Sequence, residues 1–278
     1  IRDRVGGVYV EVVEDDSVTV TVGNRVLIVN EDGNVRFCRS KRRKFNGHWG
    51  GFGMSFNGYV NSDYNMQFPR EDEYLDLRME KSWGVYLNFI EQNVALSKNK
   101  QFGLITGLGV ELHYYRFLHQ TTLLIGTSQL EGYLDEGVSV KRSRLVANYF
   151  VVPLIFEWQT HHDRRWKRFH INAGVVLKAR FSSHTTKYYN ELNKEYYLTQ
   201  YDPEQDTYVP QFETVSPDIK RTRNRDDWYL NPFQVDATVG LGLGAINLFG
   251  QFGLVSMFRD SKAPKLFTWS AGIIIIGW

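Results

Sequence analysis

Carboxylates, imidazoles and cations fall on one side of several alternating segments. They are Glu111, Glu157 and Asp236 against Lys178 and Arg180, with His113 and His170 beside them. If these residues share one enclosed face they must be paired, because an isolated charge removed from water costs more than it returns. Two arrangements fit. One is a salt-bridged plug that fills a small closed barrel; the other is a gated, narrow pore. An eight-stranded interior is just wide enough for its own side chains, which favours the plug.

Other reactive residue types are less well placed. His161-His162-Asp163 has the composition of a metal site. Adjacent strand residues point to opposite faces, however, and these three fall in a short turn, so they read as solvated. Gly240-Leu241-Gly242-Leu243-Gly244 looks like a phosphate-cradling loop, but no helix follows to offer its N-terminus. Its glycines read as inward-facing and turn residues. Ser55, Ser256 and Ser270 have no histidine recognisably beside them, so nucleophilic catalysis is not expected. Cys38 is the single cysteine; it cannot form an internal disulfide and reads as a packed thiol. No catalytic residue, metal or cofactor is expected.

The elements that must position these residues are strands. The longest apolar runs, Phe150–Phe156 and Ala271–Trp278, are seven and eight residues. A spanning helix needs about 20, whereas a spanning strand needs only about 9–11. Period-2 alternation recurs from residue 48 onward. In 169–181, Phe169, Ile171, Ala173, Val175, Leu177, Ala179 and Phe181 oppose His170, Asn172, Lys178 and Arg180. The same pattern marks 52–60, 83–89, 102–114, 146–158, 233–243 and 246–258. It slips after Phe89, as at a bulge. Residues 266–278 are apolar on both faces, so their direction is unassigned.

These eight strands are joined by segments that alternate between long and short: 62–80, 97–100, 119–141, 161–165, 183–230, 244–245 and 259–265. Only an up-and-down membrane barrel has reason to place every long loop at one end. The bulky face also exceeds what an eight-stranded interior can hold, so the apolar side must face lipid. Trp49, Trp83, Trp158, Trp166 and Trp278, with Tyr114, Tyr115, Trp228, Tyr229, Phe258 and Phe267, lie near strand ends, where interfacial girdles would form. The expected fold is therefore all-β: an eight-stranded antiparallel up-and-down transmembrane barrel over 47–278. Residues 1–46 form a short β-rich periplasmic arm, either a small meander or strands that complete a partner's sheet.

A basic run, Arg39, Lys41, Arg42, Arg43 and Lys44, precedes the first barrel strand, and Arg164, Arg165, Lys167 and Arg168 fall at the same short-turn end. They read as a periplasmic rim that meets phospholipid headgroups or an acidic partner. The net charge of +2 gives no general pull toward nucleic acid.

Lys44-Phe45-Asn46-Gly47-His48-Trp49-Gly50-Gly51-Phe52 resembles the opening of the PorT-like outer-membrane β-barrel proteins of Bacteroidetes. Phe102-Gly103-Leu104-Ile105-Thr106-Gly107-Leu108-Gly109, Val152-Pro153-Leu154, Arg168-Phe169-His170-Ile171-Asn172-Ala173-Gly174 and Leu230-Asn231-Pro232-Phe233 are similar to later pieces of that family. The resemblance spans 44–278. It implies a barrel in the bacterial outer membrane, and one namesake serves type IX secretion. The expected role is a non-enzymatic accessory subunit of an outer-membrane assembly or secretion complex. The alternative is a small pore or an adhesin-like surface barrel. Expected partners are outer-membrane lipids and lipopolysaccharide, and other outer-membrane or periplasmic subunits.

Overall fold

A computed structural model describes residues 45–126, 128–136, 139–160 and 168–276, and within 1–44 the backbone of five strands. The side chains of Glu136 and Phe212 are outside that description. The chain divides into two compact units, 1–44 and 45–278.

In the first unit, β1 (Arg2–Val5), β2 (Val8–Val13), β3 (Ser17–Val22), β4 (Arg25–Val29) and β5 (Val35–Arg39) pair in sequence order. Every pairing is antiparallel, so the unit is a five-stranded meander. The Cys38 side chain lies outside the described residues.

The second unit is built on eight long strands. They are β6 (Gly51–Val60), β7 (Trp83–Ala95), β8 (Phe102–Arg116), β11 (Val140–Gln159), β12 (Phe169–Tyr189), β16 (Phe233–Leu243), β17 (Ile246–Gly253) and β18 (Phe267–Ile276). Each pairs antiparallel with its neighbour, and the β11–β12 and β18–β6 pairings complete the ring. Closure leaves no unpaired edge, the condition for spanning a layer that offers no hydrogen bonds. Most exposed positions along these strands are apolar: Phe56 is 63 % exposed, Val239 62 % and Ile275 59 %. Asn57, Glu111, Glu157, Lys178 and Asp236 face inward and are buried. The last strand, apolar on both faces, is resolved by register: Thr268, Ser270, Ile274 and Ile276 point inward, Ile273 and Ile275 outward.

Two bulges set the inner face. The β7–β8 register shifts between Asn88 and Ile90, so Phe89 and Ile90 both lie outside. Glu91 and Asn93 are thereby turned inward, a reorientation that one extra residue produces. The β11–β12 register likewise skips Phe181.

The ends differ more than the alternating loop lengths suggest. β11 and β12 run 20 and 21 residues, about twice what crossing a bilayer requires, so half of each projects beyond the apolar belt. The expected loop 119–141 contains β9 (Thr121–Ile125) and β10 (Leu130–Glu136). The expected loop 183–230 contains β13 (Glu195–Asp202), β14 (Thr207–Val215) and β15 (Arg221–Arg225). β10 pairs with β13, joining both segments in one four-stranded sheet of order β14-β13-β10-β9.

A 3₁₀ turn at Arg70–Leu75 packs beneath this sheet, where Tyr74 approaches Gly132 so closely that any Cβ there would clash with its ring. Phe117, Leu123, Leu130, Tyr74, Leu75 and Leu266 form a shared apolar core. β17 ends at Gly253, short of the expected 258, because the chain turns to bury Met257 and Phe258 in this core.

Candidate functional site

The interior of the barrel holds two polar clusters. At mid-height Lys178 Nζ lies 2.5 Å from Glu111 Oε2 and 2.6 Å from Asp236 Oδ2. It also donates to Gln251 Oε1 at 3.0 Å, and Gln251 Nε2 donates to Glu111 Oε1 at 3.3 Å. His113 Nε2 is 3.0 Å from Glu111 Oε2. Tyr86 and Tyr149 each meet the His113 ring edge-on at 5.8 Å. These carboxylates, this amine and this imidazole come from β8, β12 and β16, and the Gln251 amide from β17. Their pairing satisfies the requirement that buried charges be compensated.

The second cluster lies at the short-turn end and depends on residues 45–50. This segment turns into the barrel before β6 begins. The Phe45 ring presses on Gly103, where a Cβ would sit 2.5 Å from it. His48 Nδ1 is 2.7 Å from Glu157 Oε1, and the His48 N–H donates to Glu157 Oε2 at 3.2 Å. The His48 ring stacks on His170 with centroids 3.9 Å apart. His170 in turn fits over Gly242, where a Cβ would meet its Nε2 at 2.3 Å. The N–H groups of Trp49 and Gly50 donate to Glu91 Oε2 at 2.9 and 2.6 Å. Asn88 donates to the Trp49 carbonyl and Asn247 to the His48 carbonyl. A backbone segment without secondary structure thus finds partners for its polar groups inside the barrel.

Several sequence expectations are corrected here. Trp49 is not an interfacial aromatic; it is 5 % exposed and lies in the barrel against Gly107 and Gly109. A residue just before the first strand can turn either way, and the glycines opposite leave space only inside. Tyr115, Trp228 and Phe258 are also buried, in the core at the long-loop end. Trp83 and Trp158 are 37 and 43 % exposed on the outer wall, and Trp83 stacks on Tyr114 at 4.2 Å.

Arg180 does not join the carboxylates: its guanidinium donates to Ser183 Oγ at 2.7 Å and to the Leu230 carbonyl at 3.2 Å. Gly240 and Gly242 lie on the inward-facing side of β16, and Gly244 makes the following turn at φ 63°. The side chains of Arg39, Lys41, Arg42, Arg43, Lys44, Arg164, Arg165 and Lys167, together with His161, His162, Asp163, Trp166 and Trp278, lie outside the described residues. Ser55 donates to the Tyr86 hydroxyl at 3.1 Å. Sequence reasoning missed His48, Asn88, Glu91 and Asn247. The slip after Phe89 was the one signal that pointed toward Glu91.

A closed ring of eight antiparallel strands with an apolar outer wall and a charged, paired interior is an inside-out protein, built for lipid. The family described as outer membrane protein beta-barrel domain matches residues 50–261. The chain belongs to this outer-membrane β-barrel family. No curated protein and no solved structure matches it. The barrel resides in the bacterial outer membrane. Its long-loop end therefore faces outward and its short turns face the periplasm. The aromatic pair Trp83–Tyr114 lies at the outer interface, and Trp158, near the short-turn end of β11, at the inner one.

Proposed function

We propose that this outer-membrane barrel is a non-enzymatic accessory subunit of an assembly or secretion complex, as the PorT-like resemblance implies. The observation that carries the reading is the occupied interior. Residues 45–50 hydrogen-bond to Glu91, Glu157, Asn88 and Asn247 across the periplasmic mouth, and Lys178 bridges Glu111 and Asp236 above them. A barrel filled in this way offers its surfaces rather than a passage. Those surfaces are a lipid-facing wall, an outer platform of four paired strands and a separate β-rich unit at 1–44.

The test is purification of the tagged full chain from native membranes in gentle detergent. Outer-membrane or periplasmic subunits are expected to accompany it in fixed ratio, and a lone monomer would count against the reading. Removing residues 1–40 should leave a heat-modifiable barrel while loosening that association.

The folded outer platform favours a second reading, an adhesin-like surface barrel. Binding of the purified protein to a host or neighbouring-cell surface, with no co-purifying subunit, would select it. A pore predicts bilayer conductance that changes with Glu111→Gln or Lys178→Met; none is expected.

A further inference from the structure

Above the apolar belt, the outward faces of four adjacent strands carry arginine in successive rows. Register places Arg116 opposite Arg144, Arg144 opposite Thr186, and Thr186 opposite Arg223. The next outward row joins Arg142, Tyr188 and Arg221. One row below, Trp83, Tyr114, Val146, His184 and Arg225 are in register. The arginines therefore begin at the height of the outer aromatic girdle and continue just above it. Neighbouring strands are about 4.8 Å apart, so six guanidinium groups share a small shelf.

Like charges directly opposite on a sheet destabilise it, yet no carboxylate lies within ion-pair distance of these six arginines among the described residues. Glu80, which acts on Arg116, is 3.6 Å from Arg78. The aromatic contacts organise the shelf without neutralising it. Arg142 lies 3.7 Å and Arg221 5.6 Å from the Tyr188 ring centroid, and Arg144 lies 5.2 Å from that of Tyr114. Two outward rows below that of Tyr114, Phe150 and Phe181 meet at a tilt on the outer wall, their ring centroids 4.5 Å apart, 50 and 47 % exposed.

The geometry points to a binding site for a phosphorylated lipid of the outer leaflet. Its phosphate would lie among Arg116, Arg144 and Arg223, and its acyl chains along Phe150 and Phe181. Guanidinium groups take phosphate oxygens in pairs, and several of them offset the repulsion that the bare shelf carries. The next strand past β12 is different: Phe233, at the outer end of β16, is 72 % exposed, and Arg259, between β17 and β18, is paired with Asp227. A free phosphate would gain nothing from the apolar wall beneath the arginines, which is why a lipid is the ligand assigned.

The experiment uses the full chain in detergent, titrated with bisphosphorylated lipid A, with the same lipid stripped of phosphate, and with inorganic phosphate, and read by native mass spectrometry. Lipid A is expected to bind at low micromolar concentration or tighter and the dephosphorylated form at least 10-fold more weakly. Arg116→Gln/Arg144→Gln/Arg223→Gln should weaken lipid A binding at least 10-fold. Arg223→Gln/Arg225→Gln, confined to exposed side chains of β15, should weaken it severalfold with the heat-modifiable barrel intact, and decides the matter if the triple variant does not fold. Equal binding of the two lipid forms, unchanged binding in the variants, or displacement of lipid A by inorganic phosphate would overturn the assignment.

Discussion

The barrel and the platform above it are made by one chain in two solvents, and they are inverted copies of the same rule. In the barrel, Phe56, Val239 and Ile275 face outward while Glu111, Lys178 and Asp236 are enclosed. In the platform, Phe117, Leu123 and Leu130 are enclosed, and Arg70 pairs with Asp206 at the surface, 3.3 Å apart. Where lipid surrounds the wall, the apolar side needs no cover and the interior is held by charge pairing. Where water surrounds it, burial of apolar surface holds the structure together. The platform also encloses one ion pair, Lys187 Nζ to Asp135 Oδ2 at 2.5 Å. There, burial raises the Asp135 carboxyl while Lys187 and Thr122 oppose that rise.

The strongest way to break this comparison is at Lys178. Lys178→Met leaves Glu111 and Asp236 enclosed without their shared cation, and stability should fall by about 3–5 kcal/mol, read as a lower urea midpoint for the barrel in vesicles. An unchanged midpoint would mean that pairing does not hold the interior. In the platform the corresponding change is Leu123→Ala, with an expected cost of about 2–5 kcal/mol. Its effect should be local: protease should cut within 117–139 while the gel shift of the folded barrel persists.

The two faces of one strand pair sharpen the contrast. Val175 lies on the outer side of β12 and Gln234 on the inner side of β16. Val175→Arg should cost about 2–4 kcal/mol near the bilayer midplane. Gln234→Arg, two residues from Asp236 on the same face, should cost less. Equal losses in refolding yield and unfolding midpoint would reverse the assignment of faces.

The smallest expected effect concerns pH and belongs to the platform alone. Asp72, in the 3₁₀ turn, is raised to about 6 by burial first and by Glu71 second. The folded state then holds this proton more tightly than the unfolded chain. Platform stability should decline as pH rises from about 4 to about 6, by less than about 1 kcal/mol because water screens a partly exposed group. Asp72→Asn should flatten that slope in hydrogen exchange of the β9–β10 amides; an unaltered slope would assign it to another group.

Much of this architecture could be read along the chain. Alternation in 102–114, 169–181 and 233–243 placed strands that the structure retains, and the loop lengths separated the two ends. The extension of β11 and β12 to Val140 and Tyr189 could not be read, because the bulge at Phe181 reverses which residues face inward. Tyr188 and Lys187 thereby exchange the sides that simple alternation would assign them. Of the candidate site, the mid-barrel residues were visible as a set, but Arg180 was grouped with carboxylates it does not meet. His48 and Glu91 were not among the candidates, since one precedes its strand and the other follows a bulge.

The sequence by itself determined the number of barrel strands, the apolar outer wall and the enclosed charges. Side-chain direction within a strand has a period of two and needs no knowledge of neighbours. The tertiary structure alone decided which charges meet. Lys178 and Glu111 are 67 residues apart, and His48 and Glu157 are 109 apart. It also decided that residues 45–50 turn inward, that β10 pairs with β13, and that Arg116, Arg144 and Arg223 share a row. These depend on register between strands distant in sequence, and that register is set only when the ring closes.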